Sequence, residues 1–401
     1  MQRWPIAALA VLLACLGGCG GGGGGGGGST PVPPVPQNVQ AIVVDAGPAN
    51  IADIPFVTIT ICAPGSAANC QTIDHIQVDT GSSGLRILSS VLSPSLTLPQ
   101  QKDASGNPIV ACAQFADGYS WGPVKLLDLK IAGEQATSLP AQIIGDPAFT
   151  AVPATCSSAG PPENTVASFG ANGLLGVSVF LQDCGSVCAQ FAISGTYYTC
   201  PASGCRPALV PLAQQLQNPV AMFATDNNGV VVQLPALPAT GTATATGALI
   251  FGIGTQSNNG LGTAAILTLD TNTGNLTTVF NNVRYANSYI DSCSSVTYFG
   301  TSLYPLCTKA GAGLWCPATP QFLTATLQGT GGTQSTASFN VANGDQVLAA
   351  NPGFYAFNNL AAPNPDPSGF GWGLPFFFGR NVFTAFESRT TPGGPGPYVA
   401  F

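Results

Sequence analysis

The chain has 401 residues, enough for two core-forming units, and sets 10 Lys and Arg against 17 Asp and Glu for a net charge of −7, which excludes the basic footprint of a nucleic-acid binder. Only 7 % of residues are charged and only three are Glu (Glu134, Glu163 and Glu387), so long amphipathic helices with a wet Lys/Glu face are excluded. Gly (50) and Pro (34) are abundant, and a turn-rich all-β protein is the expectation.

Residues 1–19 read as an export signal. Arg3 supplies a sparse positive start, and Ile6 to Leu16 supply an apolar core too short to span a bilayer. Leu16-Gly17-Gly18-Cys19 resembles the bacterial lipobox, with Cys19 as the lipidated residue; Leu12-Leu13-Ala14-Cys15 is a weaker second match. Gly20, not Asp, follows Cys19, so the expected location is the outer membrane, with periplasm or secretion as the alternative. Residues 20–38 form a tether, a glycine run followed by a stiffer Pro-rich spacer.

The first strand of the folded part is Phe56 to Ile61, which alternates in the β pattern. A turn at Ala63 to Ala68 returns the chain into Ile73 to Val78, which delivers Asp79 at its end. Val124 to Ile131 is a further strand before a turn at Ala132-Gly133. Gly173 to Val177 is an apolar segment bracketed by glycine. Past Pro219, Val220 to Ala224 is expected as a strand, Asp226 to Gly229 as a hairpin turn, and Val230 to Leu234 as the return. Gly247 to Gly254 is an apolar strand between glycines and lacks the spacing of a nucleotide loop. Asp270 to Asn275 reads as a hairpin turn, not a calcium loop. Tyr289-Ile290 then leads into Asp291-Ser292-Cys293-Ser294, and residues 390–401 are either a last strand or a tail.

Apart from Cys19, eleven cysteines follow the signal, as suits an oxidising compartment. Short spacings favour Cys62 with Cys70, Cys184 with Cys188, Cys200 with Cys205 and Cys307 with Cys316, with Cys112 to Cys156 as a longer bridge. Cys293 is left over. A zinc site from Cys184, Cys188, Cys200 and Cys205 is the less favoured alternative.

The segment Asp79-Thr80-Gly81-Ser82-Ser83 matches the first active-site motif of the pepsin-like aspartic proteases, and Asp291-Ser292-Cys293-Ser294 stands where their second motif belongs. Gly173-Leu174-Leu175-Gly176 is similar to the segment crossing behind the first Asp. Phe115-Ala116-Asp117-Gly118-Tyr119 sits where the family places its flap, and Gly373 to Phe377, running on to Glu387, is similar to its closing segment. The order is right over residues 40–390. The resemblance implies a bilobal double β-barrel with a central cleft. Residues 39–215 would form a lobe with the first Asp loop and residues 216–401 a lobe with the second, each of six or seven strands.

It also implies a chemistry that needs no cofactor or metal. Two carboxylates about 3 Å apart cannot both ionise. The ionised one draws a proton from water while the other protonates the scissile carbonyl, which suits acid pH. Asp79 and Asp291 are the expected dyad, supported by Gly81, Ser82 and Ser294, with Thr80 and Ser292 tying the loops together. Polypeptide is the expected partner, with the membrane reached through the lipid. Three departures from the family pattern stand out: Cys293 for the second glycine, Phe115 for the flap Tyr, with Tyr119 nearby, and Arg86 where Trp is usual. They leave a catalytically inactive binding or structural lipoprotein as the alternative. The single His, His75, reads as an ordinary strand residue.

Overall fold

The computed structural model describes residues 37–401. The export signal, the lipobox with Cys19 and most of the tether lie outside the described residues. No helix of the described residues is long and apolar enough to cross a membrane. Strand accounts for 41 % of the described residues and helix for 9 %, so the fold is all-β.

The first ten strands are β1 (Val39–Val44), β2 (Pro55–Cys62), β3 (Cys70–Asp79), β4 (Ser83–Leu88), β5 (Ile109–Gln114), β6 (Tyr119–Ile131), β7 (Glu134–Ile144), β8 (Gly173–Val177), β9 (Tyr197–Thr199) and β10 (Arg206–Pro207). Next come β11 (Gly229–Leu234), β12 (Ala245–Phe251), β13 (Ile266–Thr268), β14 (Leu276–Phe280), β15 (Val283–Ile290), β16 (Thr297–Tyr298), β17 (Gln321–Gln328) and β18 (Gln334–Val341). The last are β19 (Ala361–Ala362), β20 (Gly369–Trp372), β21 (Arg380–Ala385), β22 (Thr390–Thr391), β23 (Gly394–Pro395) and β24 (Tyr398–Ala400). Residues 390–401 are thus ordered strand and turn.

Strands β6, β7, β4, β8, β3 and β2 pair in sequence, and β2 pairs back onto β6, closing a barrel. Its interior is branched aliphatic, including Ile59, Ile61, Ile76, Val78, Leu85, Ile87, Leu127, Leu129 and Ile143, all almost fully buried. Side chains that alternate across a pleat give this inward face without long apolar runs.

The strand ladder does not stop at the end of the first half. β1 pairs with β2 on one side and with β12 on the other, so one 15-stranded sheet continues through β12, β11, β21, β24 and β13. This differs from the expected six or seven strands per half. The N-terminal strand satisfies its backbone groups on both edges, and that welds the halves. A separate 7-stranded sheet, ordered β18-β17-β14-β15-β20-β16-β19, carries the second Asp loop. Beneath it Phe280, Phe299, Phe339, Phe370 and Trp372 pack ring against ring, and Trp372 Nε1 donates to Thr278 Oγ1 at 3.0 Å.

Three element expectations are corrected: the strand from Val220, the hairpin turn at Asp226 to Gly229, which has no strand before it since β11 pairs with β12 and β21, and the hairpin turn at Asp270. Val220–Met222 is a 3₁₀ turn, not a strand: Pro219 before it has helical dihedrals, and Asn218 Oδ1 takes the Val220 N–H at 3.1 Å. Its apolar residues reflect burial, not pairing. The turn at Asp270 does not join a hairpin, because β13 pairs with β24 while β14 pairs with β15 and β17.

Ten cysteines form the five expected disulfides, Cys62–Cys70, Cys112–Cys156, Cys184–Cys188, Cys200–Cys205 and Cys307–Cys316. The four cysteines of the alternative zinc site are therefore spent on two bridges. Cys293 is the free cysteine among the described residues.

Candidate active site

Asp79 ends β3, and β8 lies beside it in parallel register with Asp79 opposite Gly176. β8 also pairs antiparallel with β4, so β8 is threaded between the strands that enter and leave the Asp loop. A Cβ on Gly176 would lie 2.7 Å from Ser82 O, so only glycine lets the strand pass so close behind the loop. The second half repeats the arrangement. β15 leads into Asp291, β20 runs parallel to β15 with Ile290 opposite Trp372, and Tyr298 of β16 pairs antiparallel with Gly371. Here Gly373 stands behind the loop: an added Cβ would lie 2.4 Å from Ser294 O, and the next residue, Leu374, donates its N–H to Ser294 O at 2.7 Å. The sequence points to Gly176 through its motif. Gly373 carries the equivalent duty for Asp291, which only the strand order reveals.

The two loops meet. Thr80 N–H donates to Ser292 Oγ at 3.2 Å, and Ser292 N–H donates to Thr80 Oγ1 at 3.0 Å. Each hydroxyl also reaches the opposite strand, Ser292 Oγ to Val78 O at 2.7 Å and Thr80 Oγ1 to Ile290 O at 3.4 Å. Ser292 is wholly buried and Thr80 is 6 % exposed, so these bonds form away from water, where an unmade bond is costly.

The carboxylates are then set by their own loops. Gly81 N–H donates to Asp79 Oδ1 at 2.6 Å, Ser82 N–H to the same oxygen at 3.1 Å, and Ser82 Oγ to Oδ2. Asp291 accepts from Cys293 N–H and from Ser294 Oγ, both at 2.8 Å. The two carboxyls are near enough for the charge of one to act on the other. Loss of solvation first, then the nearby Asp79 charge, push Asp291 up to about 7, although one edge of it remains partly exposed in the cleft. A Cβ on Gly81 would lie 2.8 Å from Asp291 Cγ. The facing position on the other loop is Cys293, whose thiol burial and the Asp79, Asp291, Asp117 and Glu163 charges hold well above the usual thiol range.

The remaining expected residues are placed as follows. Phe115 to Gly118 is the turn between β5 and β6, closed by Phe115 N–H to Gly118 O at 2.8 Å. The Phe115 ring packs edge-on against Phe169, with centroids 6.2 Å apart. Asp117 is exposed at the tip, and Tyr119 is drawn into the cluster of Val110, Trp121, Tyr198 and the Cys112–Cys156 bridge. Arg86 is 3 % exposed and points away into the protein, donating to Gln142 Oε1 at 2.8 Å and pairing with Asp183 at 3.2 Å. His75 sits at a kink in β3 with φ +48° and lies near Asp45 and Asp74.

Residues beyond those expected also face the dyad. Gln77 Nε2 donates to Cys293 O at 3.4 Å. Its place two residues before Asp79, on the same face of the strand, is a signal the pattern contained. Tyr289 holds the matching place before Asp291, and burial followed by the Asp291 charge pushes its hydroxyl up to about 12. With Thr80, Gly81, Phe180 and Leu276 it lines a small, mostly apolar cavity beside the dyad. Glu163 lies under the hairpin tip and left no signal in the sequence.

Residues 34–401 match the model of a family described as a protein of unknown function, DUF3443. No curated protein matches the chain.

Proposed function

We propose that this chain, which belongs to the DUF3443 family, is a lipid-anchored aspartic endopeptidase of pepsin-like, two-lobed design. The observation that carries this reading is that the Asp79 and Asp291 loops, which come from strand ends in two separate sheets, are joined by the buried Thr80–Ser292 bonds, with Gly81 packed against the Asp291 carboxyl. Repetition of the β3–β8–β4 threading by β15, β20 and β16 supports two related halves.

In the proposed reaction Asp291 keeps the shared proton. The other carboxylate takes a proton from a water held between them, and the resulting hydroxide equivalent adds to the peptide carbonyl as Asp291 protonates its oxygen. As the tetrahedral diol collapses, Asp79 passes the proton taken from water to the departing amine nitrogen and Asp291 takes back a proton from a diol hydroxyl, which restores the dyad. The backbone N–H groups of Gly81 and Cys293 hold the carboxyls in place throughout. Export and anchoring through Cys19 would place the domain outside the inner membrane, at the outer membrane in a two-membrane cell.

One observation favours a second reading, a binding protein that uses the same cleft without catalysis. Cys293 puts a side chain where the facing loop has glycine. Casein digestion by the purified protein from acid to neutral pH separates the two. Cleavage lost in both Asp79→Asn and Asp291→Asn supports the endopeptidase. No cleavage by folded wild-type protein at any pH sinks it.

A further inference from the structure

Four large apolar side chains stand out of the fold in the segment that follows β8. Phe191, Leu209, Val187 and Leu212 are 60, 53, 46 and 43 % exposed. Val187 lies in the short helix Ser186–Gln190, and Phe191 N–H donates to Val187 O at 2.8 Å, one turn on. Leu209 and Leu212 stand at the entry to the 3₁₀ turn Leu212–Gln214, which packs against that helix. The two pieces are fixed to each other. Val210 N–H donates to Cys188 O at 3.0 Å, and the wholly buried Gln215 donates through Nε2 to Gly185 O and Val210 O, both at 2.9 Å. The Cys184–Cys188 bridge closes the start of the helix.

Packing accounts for the inward neighbours of these residues but not for the residues themselves. Cys188 and Val210, each next in sequence to an exposed one, are wholly buried against Ile109, Val124, Tyr197 and Leu216. Single exposed apolar side chains are ordinary, whereas four on one fixed face mark a contact surface. Its surroundings are neutral: from Cys184 to Thr225 the single charged residue is Arg206. Four side chains fall short of the roughly 800 Å² per partner that a stable homodimer covers. A bilayer surface sets no such minimum, because an apolar face enters it in proportion to its area.

The chain ahead of the fold reaches far enough to bring this face to a membrane. Residues 20–36 separate Cys19 from Gln37 and span at most about 60 Å. Ala111 of β5 pairs with Tyr197 of β9 on one side and with Gly122 of β6 on the other, which sets the face beside that part of β6. From Gly122, β6 runs about 30 Å to Ile131. The turn that follows adjoins the start of the fold: a Cβ on Gly133 would lie 2.9 Å from Gln37 Cβ.

We propose that Val187, Phe191, Leu209 and Leu212 form a membrane-docking face that enters the interfacial layer of the bilayer holding Cys19. The proposal rests on the lipid-anchor part of the proposed function for its tether, and not on catalysis at the dyad. Anchoring makes the second contact intramolecular, so a small face suffices to hold the domain down. Docking turns the β9–β10 edge of the large sheet toward the lipid and fixes how the domain stands on the membrane.

Residues 36–401 form one compact unit with its own cores, so the domain from Pro36 onward tests the face without the lipid. Flotation with vesicles of phosphatidylethanolamine and phosphatidylglycerol should carry it. The partition coefficient should fall about tenfold in Phe191→Ser and about a hundredfold when Leu209→Ser is added. Added salt should change it little, because the face is uncharged. Phe322→Ser, at an 82 % exposed position on β17, is the control and should bind as wild type does. Vesicles should shift the indole emission of Phe191→Trp to shorter wavelength. No binding, or a loss that is the same in Phe322→Ser as in Phe191→Ser, overturns the proposal. Self-association that Phe191→Ser abolishes, without vesicle binding, assigns the face to a second copy and overturns it too. Palmitate labelling of the full chain tests the anchor separately. A labelled Cys19 with no vesicle binding by the domain loses the docking face alone, and vesicle binding without labelling loses the anchor alone.

Discussion

Thr80 and Ser292 each donate a backbone N–H to the other's hydroxyl, at 3.2 and 3.0 Å, across 212 positions of sequence. Both bonds are buried, so each hydroxyl serves as a structural joint between the loops that carry Asp79 and Asp291. Ser292→Ala leaves Thr80 N–H and Val78 O without partners and should destabilise the protein by about 1–3 kcal/mol. A double-mutant cycle with Thr80→Val in chemical denaturation should show coupling. Additive effects would mean the joint is not a unit.

Gly81 and Cys293 occupy facing positions and should respond in opposite senses. Gly81→Ala places a methyl 2.8 Å from Asp291 Cγ and must displace the carboxyl. Cleavage should fall about a hundredfold, as misplacement of reacting groups does. Cys293→Gly keeps the N–H that serves Asp291 and removes the thiol, so kcat/KM should rise. A fall would assign the thiol a positive role.

The pH profile follows from Asp291. In the proposed reaction the dyad works with one proton, and burial with the Asp79 charge keeps it on Asp291 until pH approaches about 7. Activity should persist well above the strongly acid range and decline as pH rises through that value, with the loss tracking kcat. A protein active only near pH 2–3 would contradict the buried setting of this carboxyl.

Glu163 makes stability depend on pH in a defined direction. Its folded value, about 8, lies above the ordinary 4.5, so the folded protein binds this proton more tightly. The contribution is complete below the lower value and is lost as pH rises between the two. The denaturation midpoint of wild type should therefore fall across that window more steeply than that of Glu163→Gln. Parallel curves would refute the assignment.

Arg86 and Asp183 form a buried pair, and Tyr197 OH also donates to Asp183 at 2.6 Å. Arg86→Ala leaves a buried carboxylate unpaired and should destabilise by about 3–5 kcal/mol in denaturant titrations. Arg86→Met combined with Asp183→Leu should recover most of that loss, since apolar replacements of both partners leave no stranded charge.

Much of the site was legible because it is local. Asp79 and Asp291 each follow an apolar strand, and hydroxyl residues at fixed offsets hydrogen-bond back to the carboxylates within three residues. Disulfides of short separation were legible for the same reason. Val220–Met222 was not, because its apolar residues are buried as a 3₁₀ turn and periodicity over three residues cannot separate that from a strand. Glu163 was not, because its partner Asp117 lies 46 positions away and the strap joining them is backbone bonding that any sequence can make.

The residues by themselves determined the all-β class, the four short-spaced bridges and the two acidic loops, since these depend on composition, short spacing and contacts within a few positions. Tertiary structure alone decided that β1 joins the halves into one 15-stranded sheet, that Gly373 backs the second loop as Gly176 backs the first, and that four carboxyls converge on Cys293. Those outcomes come from which strand edges pair and from how far a buried charge reaches. Both are set by proximity in space between segments that nothing in the linear order brings together.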